Sequence, residues 1–134
     1  MVDGIAAVLE QHPTTVDRSV VVGLGEGGDR TLVIDAAAED EVFAQLGRMH
    51  AAGHDFIAVS EERGEVAFGE SENRVVIDPI DGSLNAKRVS GPCALSVAVD
   101  AGPVARLALA PLTGPCPADR FPTCRFPGRG HPGR

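Results

Sequence analysis

Six residues near the middle of the chain, Asp78-Pro79-Ile80-Asp81-Gly82-Ser83, have the types and spacing that chemistry needs. Two carboxylates stand three apart, Pro79 forces a turn between them, and Gly82 allows close backbone approach. At the C-terminal end of a strand such a pair can point into one pocket. Adjacent carboxylates repel unless a divalent cation neutralises them, and hard oxygen ligands favour Mg²⁺. Gly82 and Ser83 would then offer backbone N–H groups to a phosphate, the more so if a helix begins there. Glu61 and Glu62 close a separate apolar run and can complete the cluster. Taken singly, Asp-Pro, Asp-Gly and Glu-Glu are ordinary turn and surface dipeptides.

Other candidates carry less. Gly23-x-Gly25-x-x-Gly28 formally matches a dinucleotide fingerprint. That fingerprint works only where its last glycine opens a helix. Thr31 to Ile34 reads as extended, so a hairpin or loop is expected and a nicotinamide site is rejected. His50 and His54 stand at i, i+4, but they flank Gly53 at a helix end, where histidines also suit the dipole. Cys93, Cys116 and Cys124 show no CxxC spacing and make no zinc site.

The acids need elements to hold them. Residues 3–11 read as a short helix with Ile5, Val8 and Leu9 on one face, ended by Pro13. Ser19–Val22 reads as a strand. Asp35 is a good helix N-cap for an amphipathic helix over 36–51, with Val42, Leu46 and Met49 at helical spacing and Gly53 as its stop. Strands are expected at 56–59, weakly at 66–68, at 74–77 and at 94–99. Beyond Leu112 no period survives, because Pro115, Pro117, Pro122, Pro127 and Pro132 break helix and central strand alike.

Taken together, Asp35, then Ser60-Glu61-Glu62, then Asp78-Pro79-Ile80-Asp81-Gly82-Ser83-Leu84-Asn85 resemble the inositol monophosphatase family, in the superfamily that includes fructose-1,6-bisphosphatase. The D-P-[IL]-D-G-[ST]-x-N element is highly specific and its match here is complete. The resemblance covers roughly residues 20–100. It implies an α/β fold of the α+β layered sugar-phosphatase kind, a mixed sheet with flanking helices. It implies a phosphoric monoester hydrolase acting on inositol phosphate or a related sugar phosphate, fructose 1,6-bisphosphate included, with two or more Mg²⁺ ions. By the same resemblance Glu61, Asp78 and the Ile80 carbonyl would hold one ion, and Asp78 and Asp81 would bridge to a second. Asp81, Gly82 and Ser83 would contact the phosphate. Asp35 would orient the Ser83 hydroxyl, and Glu62 would assist through water. A homodimer is also compatible with the family.

The chain departs from that pattern in its second part. It has no tryptophan, so the family's W-D-x-A-A-G element, whose aspartate completes the second metal site, is absent. Family members are about twice as long. Residues 1–100 hold 18 of the 19 acids against 7 of the 12 bases, a net −11, whereas 101–134 hold Asp119 against five arginines, a net +4. Seven of the ten prolines lie beyond residue 102. The expectation is therefore a truncated family domain over 1–100 and a disordered, non-family Pro/Arg-rich tail over 101–134. A shifted reading frame in GC-rich DNA would produce that change. Activity is expected to be weak or nil, and the competing reading is an inactive fragment or a module that binds a divalent cation or a partner.

Composition narrows the class. At 134 residues with 43% apolar and 23% charged residues, the chain fits one domain. No apolar run reaches the length of a membrane helix, and no basic segment followed by an apolar core opens the chain. An odd cysteine count without such a leader points to a reducing cytoplasm. The net charge of −7 disfavours nucleic acid and anionic membranes. The expected partner is a small phosphorylated polyol or sugar.

Overall fold

The computed structural model describes residues 1–101, 104–112 and 124–127. Two short helices come first, α1 (Val2–Gln11) and α2 (Thr15–Arg18). A hairpin follows, β1 (Val21–Leu24) and β2 (Arg30–Leu32), and then the long helix α3 (Val33–Ala51). The remainder is β3 (Phe56–Ser60), β4 (Gly64–Phe68), β5 (Arg74–Asp81), the short helix α4 (Ser83–Lys87), β6 (Ala94–Asp100), β7 (Val104–Pro111) and β8 (Cys124–Pro127).

The main sheet runs β4-β3-β5-β6-β7-β8. It is mixed: β3 and β5 are parallel, and every other neighbouring pair is antiparallel. In β3 the alternation is strict, with Phe56, Ala58 and Ser60 buried. That face receives α3, whose Ile34, Ala38, Val42 and Leu46 are all at most 1% exposed. Ile5 and Leu9 of α1 pack on the far side of the same core. Burying such an apolar side chain is worth about 1.5–3 kcal/mol, which is why the stripe on α3 sets its orientation. The opposite face of the sheet presents Val59, Val76, Ala98 and Leu107 around a shallow apolar hollow. No helix among the described residues is long and apolar enough to cross a membrane.

The mixed sheet with flanking helices agrees with the sequence reading, and so do α1, β3, β5 and β6. Three local expectations are corrected. Asp35 is not the N-cap of α3. Leu32 is, and Asp35 is the third helical residue, because starting the helix at Val33 buries Ile34 completely. Helix α2 was not anticipated, although Thr14 and Asp17 form a full capping box before a single turn. The tail is not irregular from residue 101. Val104–Pro111 pairs along the whole of β6, from Asp100↔Ala105 to Ala94↔Pro111, and Cys124–Pro127 pairs in turn with β7. The expectation of disorder for 102–103, 113–123 and 128–134 lies outside the described residues.

Candidate active site

A bulge makes the site. Asp78 pairs with Ser96 and Asp81 with Ala94, so three steps along β5 match two along β6. Pro79, which has no N–H to give the ladder, falls inside the irregularity. The extra residue keeps both aspartates on the side of the sheet that carries Ser96 and Ala94. Just beyond, Gly82 takes φ +88° and caps α4. A Cβ there would sit 3.2 Å from the Pro92 carbonyl oxygen, so glycine is required both by conformation and by space.

The strand ends open into a cleft of about 270 Å³ lined by Asp35, Glu39, Glu61, Glu62, Asp78 and Ser83, with Arg30, Ile80 and Gly82 among its other walls. Four separate segments deliver the acids: the β1–β2 turn gives Asp29, α3 gives Asp35 and Glu39, the β3–β4 turn gives Glu61 and Glu62, and β5 gives Asp78. All the sequence-predicted site residues except Asp81 therefore meet on one cleft. Asp81, on the same side of the sheet as Asp78, is not among the residues that line it and accepts a 2.9 Å hydrogen bond from the Ser96 hydroxyl.

Crowding shows in the carboxyl groups. Burial, aided by the charges of Glu62, Asp78 and Glu61, raises the Asp35 pKa to about 6 against the pull of the Leu32 N–H. Burial also raises Asp78, with Asp81 and Glu61 adding to it and the Ile80 N–H opposing. Glu62 is pinned from the hairpin side: the Thr31 hydroxyl donates to its Oε2, and the Glu26 N–H donates to its carbonyl oxygen at 3.3 Å. Gly25 lets the hairpin come this close, since a Cβ would lie 2.6 Å from Glu62 Oε2. The glycine cluster thus serves a hairpin, and β2, not a helix, follows Gly28.

Three cleft residues, Asp29, Arg30 and Glu39, escaped the sequence reading. Arg30 gives the cleft wall a cation, and its only signal was its place on the return strand of the hairpin. Glu39 is 2% exposed, its Oε1 has no hydrogen-bond partner among the described residues, and burial raises its pKa. In the sequence it is one of three consecutive acids, Glu39, Asp40 and Glu41, with nothing to set it apart from its neighbours. Lys87 and Arg88 do not line the cleft. His50 instead faces Asp55, Nδ1 to Oδ1 at 3.0 Å.

An all-oxygen set of mutually repelling carboxylates fits a hard divalent cation in kind. Among the described residues no three His, Cys, Asp or Glu side chains stand close enough to form a ready-made metal cage.

A mixed sheet flanked by helices, with acids gathered at the ends of β3 and β5, defines a layered α/β protein with an acidic cleft. Comparison with known proteins narrows this. No family model matches the chain. An inositol-1-monophosphatase of Mesorhizobium japonicum is 34% identical over 83 residues, 62% of this chain and 30% of that protein. A fructose-1,6-bisphosphatase/inositol-1-monophosphatase of Methanocaldococcus jannaschii is 44% identical over 69 residues, 52% of this chain and 25% of its own. Among solved structures, an inositol monophosphatase–fructose 1,6-bisphosphatase superposes with TM-score 0.62 at 25% identity, covering 89% of this chain and 47% of that one. The Leishmania major fructose-1,6-bisphosphatase shares the fold, with TM-score 0.61 at 15% identity over 81% of this chain and 40% of its own. The chain is thus similar, over part of their length, to inositol monophosphatases and fructose-1,6-bisphosphatases. It spans a quarter to a third of the two curated relatives.

Proposed function

We propose that the cleft is the acid-bearing part of a Mg²⁺-dependent phosphomonoesterase site for a small phosphorylated polyol or sugar, inositol phosphate or a related sugar phosphate, fructose 1,6-bisphosphate included. The observation that carries it is the convergence of Asp35, Glu61, Glu62 and Asp78 from three elements beside Gly82 and Ser83. Glu61, Asp78 and the Ile80 carbonyl would hold the first ion, and Asp78 with Asp81 would reach a second. When bound, the ions would neutralise phosphate oxygens and lower the pKa of a water. Gly82 and Ser83 would seat the phosphate, with Asp81 beside them. Asp35, whose carboxyl titrates near 6, is suited to take a proton from the Ser83 hydroxyl or a water and so fix its orientation. Glu62, held by Thr31, would position that water.

A second reading, a divalent-cation or partner-binding module without turnover, is favoured by the chain's matching only 30% and 25% of the length of the two curated relatives. The test is twofold. Thermal unfolding with and without Mg²⁺ should show stabilisation by the ion, and phosphate release from inositol 1-phosphate and fructose 1,6-bisphosphate should be residual at most. No effect of Mg²⁺ on stability, with no hydrolysis, would sink the phosphatase reading. Robust Mg²⁺-dependent release abolished by Asp81→Asn would show that the chain is a competent enzyme by itself.

A further inference from the structure

The β3–β4 turn that carries Glu61 and Glu62 is only three residues long, and its third residue is Arg63. Strand β3 pairs with β4 up to Ser60↔Gly64, and the Arg63 N–H donates to Ser60 Oγ at 3.3 Å, closing the turn on itself. The guanidinium then leaves the sheet for α3. Its Nε lies 3.4 Å from Glu39 Oε2, its Nη2 binds Asp40 Oδ1, and its Cζ stands 4.5 Å from the centre of the Phe43 ring. Residues 39, 40 and 43 share one turn of α3, so a single side chain engages two carboxylates and an aromatic face on one patch. The Glu39 side chain is 3% exposed, where charge-assisted pairing counts for more than at a surface. Helix α3 is also the element that carries Asp35 into the cleft.

We propose that Arg63, gripped by Glu39, Asp40 and Phe43, is a positioning residue that fixes where Glu61 and Glu62 stand relative to Asp35, and thereby sets the divalent-cation affinity of the cleft. The part concerning affinity rests on the phosphatase reading; the part concerning the turn does not. A clamp of this kind explains why an acid as deeply buried as Glu39 is kept in α3. It anchors the arginine from below while Asp40 holds it from the rim.

The experiment uses the whole chain with Arg63→Ala, Arg63→Lys and Asp40→Asn. Amide hydrogen exchange is followed without metal, and Mn²⁺ binding is followed by the loss of the free-ion resonance. Arg63→Ala should speed exchange at 61–64 about tenfold or more while leaving β5 and β6 unchanged, and weaken Mn²⁺ binding by about tenfold. Arg63→Lys, which keeps the charge but loses the planar fork, should recover part of both. If Arg63→Ala does not fold, Asp40→Asn, altered at the exposed rim, should show the same pattern at smaller amplitude. Unchanged exchange at 61–64 in every variant that folds overturns the proposal. Faster exchange in a chain that binds no Mn²⁺ even when unaltered supports the clamp and removes the phosphatase reading instead. Faster exchange with undiminished Mn²⁺ affinity overturns the link between the clamp and the cation.

Discussion

The backbone N–H of Ile80 donates to Asp78 Oδ1 at 3.1 Å, so the first aspartate of the pair is held by the very bulge that separates it from the second. This bond orients the carboxylate and stabilises its charged form. Burial and the neighbouring Asp81 and Glu61 oppose that charge and prevail, leaving the carboxyl raised.

Asp78→Asn separates these effects. The amide oxygen can still accept from Ile80, while the charge and its repulsion disappear. The metal-free variant should unfold at an equal or higher temperature than the parent, and added Mg²⁺ should no longer stabilise it. A melting series with and without Mg²⁺ reads both, and a marked fall in the metal-free midpoint would contradict the account.

Asp35 sets a pH dependence. Its carboxyl is raised from about 3.8 when unfolded to about 6 when folded, so the folded state binds the proton more tightly. Stability from this group is therefore full below pH about 4 and is lost as pH rises to about 6. The loss should be about 1–2 kcal/mol once solvent screening of a half-buried carboxylate is allowed for. Urea unfolding at pH 4 and pH 7 should show most of it in the parent. In Asp35→Asn the difference should shrink by that amount.

Arg18 makes a prediction about stability alone. This residue is 7% exposed and donates to three carbonyls, Leu9 at 2.8 Å, His12 at 2.6 Å and Ala86 at 2.6 Å. It therefore joins the end of α1 to α4, the short helix that begins at Ser83. Arg18→Ala leaves three acceptors without their donor and should cost about 3–5 kcal/mol in urea unfolding. Arg18→Lys cannot span all three and should recover less than half. A loss under about 1 kcal/mol would mean the three bonds are dispensable.

What the sequence made legible follows from which forces act locally. The alternation in Phe56–Ser60 and the stripe of Val42 and Leu46 mark β3 and α3 because each buries one face, and burial imposes a period. The Asp-Pro-x-Asp-Gly-Ser run marked the cleft because its turn chemistry is written in adjacent residues. The start of α3 was misplaced because the β-branched run Thr31–Ile34 favours strand locally, and only the core that receives Ile34 overrides it. Glu39, Arg30 and Arg18 stayed hidden for a related reason. The partners of Glu39 and Arg18, and most of the acids that share the cleft with Arg30, lie on other elements, and nothing beside these residues in the chain distinguishes them from solvated charges. Asp81 could be placed after a turn at the end of its strand from sequence, but not paired with Ser96, fifteen residues away on another strand.

The glycines of the hairpin can be told apart by experiment. Gly25 faces Glu62, where a Cβ would lie 2.6 Å from Oε2, while Gly23 has nothing within 4 Å. Neither needs a positive φ. Gly25→Ala must therefore push Glu62 or the hairpin aside, whereas Gly23→Ala adds a methyl group to open space. Both changes should alter global stability by less than about 1 kcal/mol, because the hairpin packs at the edge of the core. Only Gly25→Ala should weaken Mn²⁺ binding, by about threefold to tenfold, since it displaces a carboxylate that Thr31 now holds in the cleft. Equal affinities for the two variants would mean that Glu62 tolerates the displacement and that the hairpin does not tune the site.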